Sequence, residues 1–189
     1  MTRNASDMQT IESNDAPSPR EGGGAGGAAR PGTVPLIDLA SVDLSGTMIA
    51  HDKINDFIPH QGNMLLLDRV IWHRPDYTAA VALKKVRDDE FWCDGHIPGR
   101  PILPGVLMIE AGAQLASIMY FARCNHRNFA GFTRIENTVF RGMVVPGDEL
   151  YIVAREVKFH PKRFISDCQG IVNGKIVYES RITGMILGV

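Results

Sequence analysis

The sequence predicts an α+β fold in which a curved antiparallel sheet wraps around one long central helix. The helix is predicted by the run after Pro104 and Gly105. There Val106, Leu107, Met108, Ile109, Ala111, Ala113, Leu115, Ala116, Ile118, Met119, Tyr120 and Phe121 leave it apolar around nearly its whole circumference, the pattern of a buried helix. The sheet is predicted by alternating or β-branched runs bounded by turn signals, and its antiparallel order by the lack of any repeated βα pattern.

In chain order, residues 1 to about 35 mix Ser, Asn, Asp, Pro and Glu with the tract Gly22-Gly23-Gly24-Ala25-Gly26-Gly27. Such a stretch buries too little to offset the entropy of ordering, so a disordered tail is expected before a folded domain at 36–189. The tail lacks the apolar core of a secretory signal, and Asp7, Glu12, Asp15 and Glu21 are foreign to a transit peptide. A short helix is expected at 52–57, leading into Ile58-Pro59-His60. A strand is expected at 65–71, and 77–86 alternates with Ala79, Val81 and Leu83 on one side. After the helix, strands are expected at 129–141, 149–159, 163–172 and 175–187, with Pro161 and Asn173-Gly174 turning the hairpins.

At 44% hydrophobic and 22% charged, with a formal net charge of -1, the chain lacks the basic excess of a nucleic-acid binder. The central apolar run is marginal for a bilayer and is interrupted by Glu110 and Gln114, so no membrane span is expected. Cys93, Cys124 and Cys168 are odd in number, widely spaced and without a Cys-x-x-Cys pair. They are read as small buried hydrophobes in a cytoplasmic protein, with neither a disulfide framework nor a zinc site.

The helix has three polar exceptions, Glu110, Gln114 and Ser117, which fall on one face because residues three and four apart are helical neighbours. A buried acid is costly unless neutral or partnered, so this stripe requires a reason. His96 stands on the Pro/Gly loop immediately before the helix. A loop histidine and a helix acid together predict a shared site, against the separate readings of an incidental histidine and a solvated glutamate.

The block His96-x-Pro98-Gly99-x-Pro101-x-x-Pro104-Gly105, followed by Glu110-Ala111-x-Ala113-Gln114, resembles the signature of the β-hydroxyacyl-[acyl-carrier-protein] dehydratases of bacterial fatty acid synthesis. Ile58-Pro59-His60 with Leu66-Leu67-Asp68-Arg69-Val70 is similar to that family's amino-terminal segment, and Phe140-Arg141-x-x-Val144-x-Pro146-Gly147-Asp148 to its later strand-turn element. The resemblance covers about residues 50 to 187. It implies a hot-dog fold, a homodimer or trimer of dimers, no cofactor, no metal, and acyl carrier protein as the carrier of a (3R)-hydroxyacyl thioester. It assigns water removal, giving a trans-2-enoyl thioester, to His96 and Glu110, with the loop histidine of one subunit facing the helix glutamate of its partner. Glu at position 110 resembles the branch that dehydrates without isomerising. Gln61-Gly62-Asn63-Met64 stands where Tyr-Pro-Phe is common and Ile97 where Phe is frequent, departures that touch acyl-chain preference and leave the pair intact.

Elimination takes a proton from C2 and gives one to the departing C3 hydroxyl, which requires two groups of different basicity. Neutral His96 suits the first task, and burial among Val106, Ile109 and Ala113 is expected to keep Glu110 protonated for the second. The outward amides of Gly105 and Val106, at the positive end of the helix, suit the charge developing on the thioester oxygen. Gly105 also carries no side chain to block that approach. Gln114 either orients the Glu110 carboxyl or joins a neighbouring amide network.

His60 and Asp68-Arg69 are read as a structural ion pair or cap, and His51, His73, His126 and His160 as facing water. The basic turn 158–163 is read as a solvated hairpin, with docking of an acidic carrier as its functional alternative. Met108, Met119, Met143 and Met185 are read as core filling. Two other functions compete: a hot-dog thioesterase, which releases free acid and thiol, and a non-catalytic acyl-binding subunit, which has no need of a buried acid.

Overall fold

The computed structural model describes residues 34–124 and 130–187. Most of the expected tail, together with His126 and Phe129, lies outside the described residues.

A seven-stranded antiparallel sheet curls around one helix. The elements are β1 (Ile49–Ala50), α1 (His51–Ile54), β2 (Arg69–His73), β3 (Ala79–Lys85), α2 (Gly105–Cys124), β4 (Ala130–Phe140), β5 (Glu149–His160), β6 (Arg163–Val172) and β7 (Lys175–Ile186). Their order across the sheet is β1-β2-β3-β5-β6-β7-β4. The four late strands and α2 therefore stand where the periodicity placed them. Asn173 and Gly174, both left-handed, close the β6–β7 hairpin.

α2 runs 20 residues with its apolar side chains packed against β3, β5, β6 and β7, and Leu115, Ile118 and Tyr120 are fully buried. It has the length and composition of a membrane span, yet most of it is covered by the sheet. Gly112 brings the helix onto the sheet. A Cβ there would fall 2.2 Å from the Tyr178 hydroxyl and 3.1 Å from the Cys168 Cβ, so no larger residue allows this approach.

One expectation fails near the amino end. The strand expected at 65–71 forms instead as β2 at Arg69–His73. Leu66 gives its amide to Gln114, 3.0 Å away, and residues 65–67 have no sheet partner among the described residues. The alternating run at 77–86 does form a strand, β3, and both of its faces are covered: Ala79, Ala80, Val81, Ala82, Leu83 and Lys84 are all buried. Helix α2 covers one side. The other is covered by residues 36–44, whose Leu36, Ile37, Leu39, Val42 and Leu44 pack on Ile71, Val81, Leu83, Val153 and Ile171. The buried Gln169 amide fastens this strap, accepting from the Leu36 amide at 2.8 Å and donating to the Val34 carbonyl at 3.2 Å.

Cys93 and Cys168 are buried and Cys124 is half-buried, all with free thiols. Met108 and Met119 fill the core, whereas Met143 and Met185 are exposed because they stand on the rim turn and near the end of β7. His51 and His160 face water as expected, but His73 is half-buried and stacks on Tyr77 at 4.1 Å.

Candidate active site

The polar stripe of α2 opens on a cavity of about 270 Å³, lined by His60, Met64, Glu110, Ala113, Gln114, Ser117 and Ala130, Gly131 and Phe132 of β4. Helix, loop and edge strand each supply a wall. Gln114, only 1% exposed, is held from both sides: its Oε1 accepts from the Leu66 amide at 3.0 Å and its Nε2 donates to the Met64 carbonyl at 2.7 Å. The same Nε2 donates to Glu110 Oε1 at 3.0 Å. Of the two readings left open for Gln114, both hold at once: it orients the acid and is part of a local amide network.

Glu110 also meets His60, whose Nε2 lies 3.1 Å from Oε1. His60 follows buried Ile58, and the Asn55 side chain donates to the carbonyls of both, which fixes the loop. The expected structural partner of His60 is thus the candidate acid. Asp68 and Arg69 do not pair with each other: Asp68 pairs with Arg87 at 3.3 Å, and Arg69 donates to the Leu44 and Gly46 carbonyls, both at 3.2 Å.

The protonated Glu110 expected from burial alone is not what this environment favours. Burial is the largest single influence and pushes the carboxyl up, but the hydrogen bonds from His60 and Gln114, with the positive charge His60 carries when protonated, outweigh it. Glu110 is held below its ordinary value, as a carboxylate. The sequence shows the apolar neighbours in the helix but not donors arriving from 50 residues away.

His96, on the loop between β3 and α2, is exposed, and its Nδ1 donates to the Ile102 carbonyl at 2.8 Å. A carbonyl only accepts, so in the neutral ring the proton sits on Nδ1 and Nε2 presents a lone pair. No hydrogen bond or ion pair joins His96 to Glu110 within the chain, and His96 does not line the Glu110 cavity.

At the start of α2, no acceptor among the described residues engages the Gly105 or Val106 amide, and the Val106 side chain is exposed. The absent side chain at Gly105 does more than keep an approach open. A Cβ there would lie 2.8 Å from the Phe140 ring, so glycine makes room for that ring beside the helix start. A larger cleft on the sheet near Val34, about 490 Å³, contains Asp167 and Glu179, but these are engaged by Arg181 and Arg141 and leave no free acid.

Residues 58–181 match the FabA-like domain family. The chain is 39% identical over 137 residues to the 3-hydroxyacyl-[acyl-carrier-protein] dehydratase FabZ of Clostridium acetobutylicum, covering 72% of this chain and 96% of that one. The enzyme of the same name from Rickettsia africae is 39% identical over 138 residues, covering 71% and 93%, and that of Streptococcus sanguinis 34% over 140 residues, covering 72% and 96%. Among solved structures, the dehydratase heterocomplex ApeI:P from Xenorhabdus doucetiae shares the fold, with a TM-score of 0.63 over 71% of this chain and 91% of that one at 16% identity. The sheet curled around a single helix is the hot-dog fold, and the chain belongs to the FabZ-type 3-hydroxyacyl-[acyl-carrier-protein] dehydratase family.

Proposed function

We propose that His96 and Glu110 are the acid-base pair with which this chain, a hydro-lyase of fatty acid biosynthesis, removes water from (3R)-hydroxyacyl thioesters on acyl carrier protein. One observation carries the assignment. Each group is anchored through one atom, His96 by Nδ1 on Ile102 and Glu110 by Oε1 on His60 and Gln114, while the other, Nε2 or Oε2, meets no partner among the described residues.

In the proposed step, Nε2 of His96 takes the C2 proton and the C2–H electron pair becomes the C2=C3 double bond. The C3–O bond breaks, and the hydroxyl leaves as water with the proton of Glu110. The Gly105 and Val106 amides receive the charge developing on the thioester oxygen at the helix start. Glu110 must be protonated when the step begins. A seated acyl chain and a second subunit strip its remaining water, which strengthens the burial that already pushes its carboxyl up.

That no hydrogen bond or ion pair joins the pair within one chain supports a homodimer with shared sites, which we take to assemble further as a trimer of dimers. Among the described residues β4 is a sheet edge that pairs only with β7, and it exposes Phe132, Ile135, Val139 and Phe140, a surface suited to a second copy. The dehydratase reading, in the cytoplasm, is tested with a crotonyl thioester, which the purified protein hydrates in the reverse direction. Glu110→Gln, which keeps the shape of the side chain, is expected to lose at least about 100-fold in turnover while remaining folded. Free thiol in place of the 3-hydroxyacyl product, or an active Glu110→Gln protein, contradicts the proposal.

A further inference from the structure

We propose that His60 is a positioning residue for the dehydration: with Gln114 it occupies one oxygen of Glu110 and so dictates that the other oxygen carries the catalytic proton. The inference rests on Glu110 being the proton donor.

The orientation of Gln114 is fixed by its neighbours. Its Oε1 meets the Leu66 amide at 3.0 Å, which only donates, and its Nε2 meets the Met64 carbonyl at 2.7 Å, which only accepts. Its contact to Glu110 Oε1 at 3.0 Å is therefore a donation. His60 Nε2 reaches the same oxygen at 3.1 Å, while its Nδ1 is buried with no partner among the described residues. A buried orphan N–H is rarer than an under-used acceptor, so in the neutral ring Nδ1 is the bare nitrogen and Nε2 carries the hydrogen, and the protonated ring keeps that same donor. Oε1 then accepts twice and has no lone pair left for a proton, which leaves Oε2 as the proton carrier.

No second ionisable side chain competes at this site among the described residues. Around the carboxylate stand Met64 of the loop, Ala113 and Ser117 of α2, and Ala130, Gly131 and Phe132 of β4, all uncharged. His96 of the partner subunit is the charge-bearing group that the proposed dimer adds. Two donors on the anionic form lower its proton affinity, in accord with the direction found for Glu110.

The test is the pH profile of kcat for crotonyl-thioester hydration in full-length protein. His60→Phe removes the donor but keeps a ring. The acid limb, set by Glu110, is expected to move to higher pH by about one unit, with KM little changed. His60→Asn, which keeps a polar group but falls short of Oε1, is expected to move the limb the same way and serves if the phenylalanine variant does not fold. His60→Gln, which restores a donor at the position of Nε2, is expected to return the limb to the wild-type position. Glu110→Gln measured alongside separates the two readings: survival of its activity overturns the role of Glu110. A dead Glu110→Gln with an unmoved limb in the folded His60→Phe or His60→Asn protein overturns the role of His60 alone.

Discussion

Two buried carboxylates show how neighbours decide what an acid does. Glu110 accepts from the His60 ring and the Gln114 amide beside a cavity, whereas Glu90 forms a dry ion pair with Lys84 at 2.7 Å, with the side chains 6% and 3% exposed. Burial is again the strongest influence on Glu90 and pushes its carboxyl up, but Lys84, the Arg87 amide and Trp92 outweigh it and hold it low. A carboxyl depressed in the folded state stabilises the protein above its unfolded value of about 4.3 and loses that contribution as pH falls through the folded value. Wild-type protein is thus expected to lose stability on acidification across that window, and Glu90→Gln to lose less, as read by denaturant midpoints at about pH 7 and about pH 3. Lys84→Met alone, which strands the carboxylate, is expected to cost about 3–5 kcal/mol at pH 7, and restoring most of that by adding Glu90→Gln would confirm the pair. The residue types of the site were legible because His96, Glu110 and Gln114 stand within one short block. The role of His60 was not, because its contact with Glu110 is made by tertiary folding across 50 positions and leaves no periodicity to read.

Among the elements, α2 was the easiest to read, since uniform apolarity over 20 residues admits little but a core helix. What the pattern did not reveal is how tightly it seats. With 2.2 Å between a hypothetical Gly112 Cβ and the Tyr178 hydroxyl, Gly112→Ala is expected to destabilise by about 1–3 kcal/mol despite the better helix propensity of alanine. Urea unfolding of Gly112→Ala, with and without Tyr178→Phe to remove the obstructing oxygen, checks this, and a stabilised single variant would contradict the packing argument. For β3 the alternation gave the strand but not its second cover. The residues on its other side, Leu36 to Leu44, are too short and irregular a run to signal a covering strap. Removing the clamp by Gln169→Leu is expected to cost about 1–3 kcal/mol, through the Leu36 amide and Val34 carbonyl left without partners.

At the scale of the whole molecule, β4 is a long sheet edge without a further partner among the described residues, and it also walls the Glu110 cavity through Ala130, Gly131 and Phe132. Association along it would cover apolar side chains and close the site in a single event, which joins catalysis to assembly. The segment before Pro31 offers little apolar surface to bury, and deleting residues 1–30 is expected to leave the melting temperature within about 5 °C and activity nearly unchanged. The central claim, that His96 of one subunit works with Glu110 of another, is tested most directly by complementation. His96→Ala and Glu110→Gln homodimers are both expected to be nearly inactive. Co-expressed with different tags and purified in two steps, the mixed dimer has one site carrying both lesions and one carrying neither. The account predicts that this heterodimer recovers about half the wild-type turnover per dimer, whereas a folded heterodimer as inactive as its parents would contradict it.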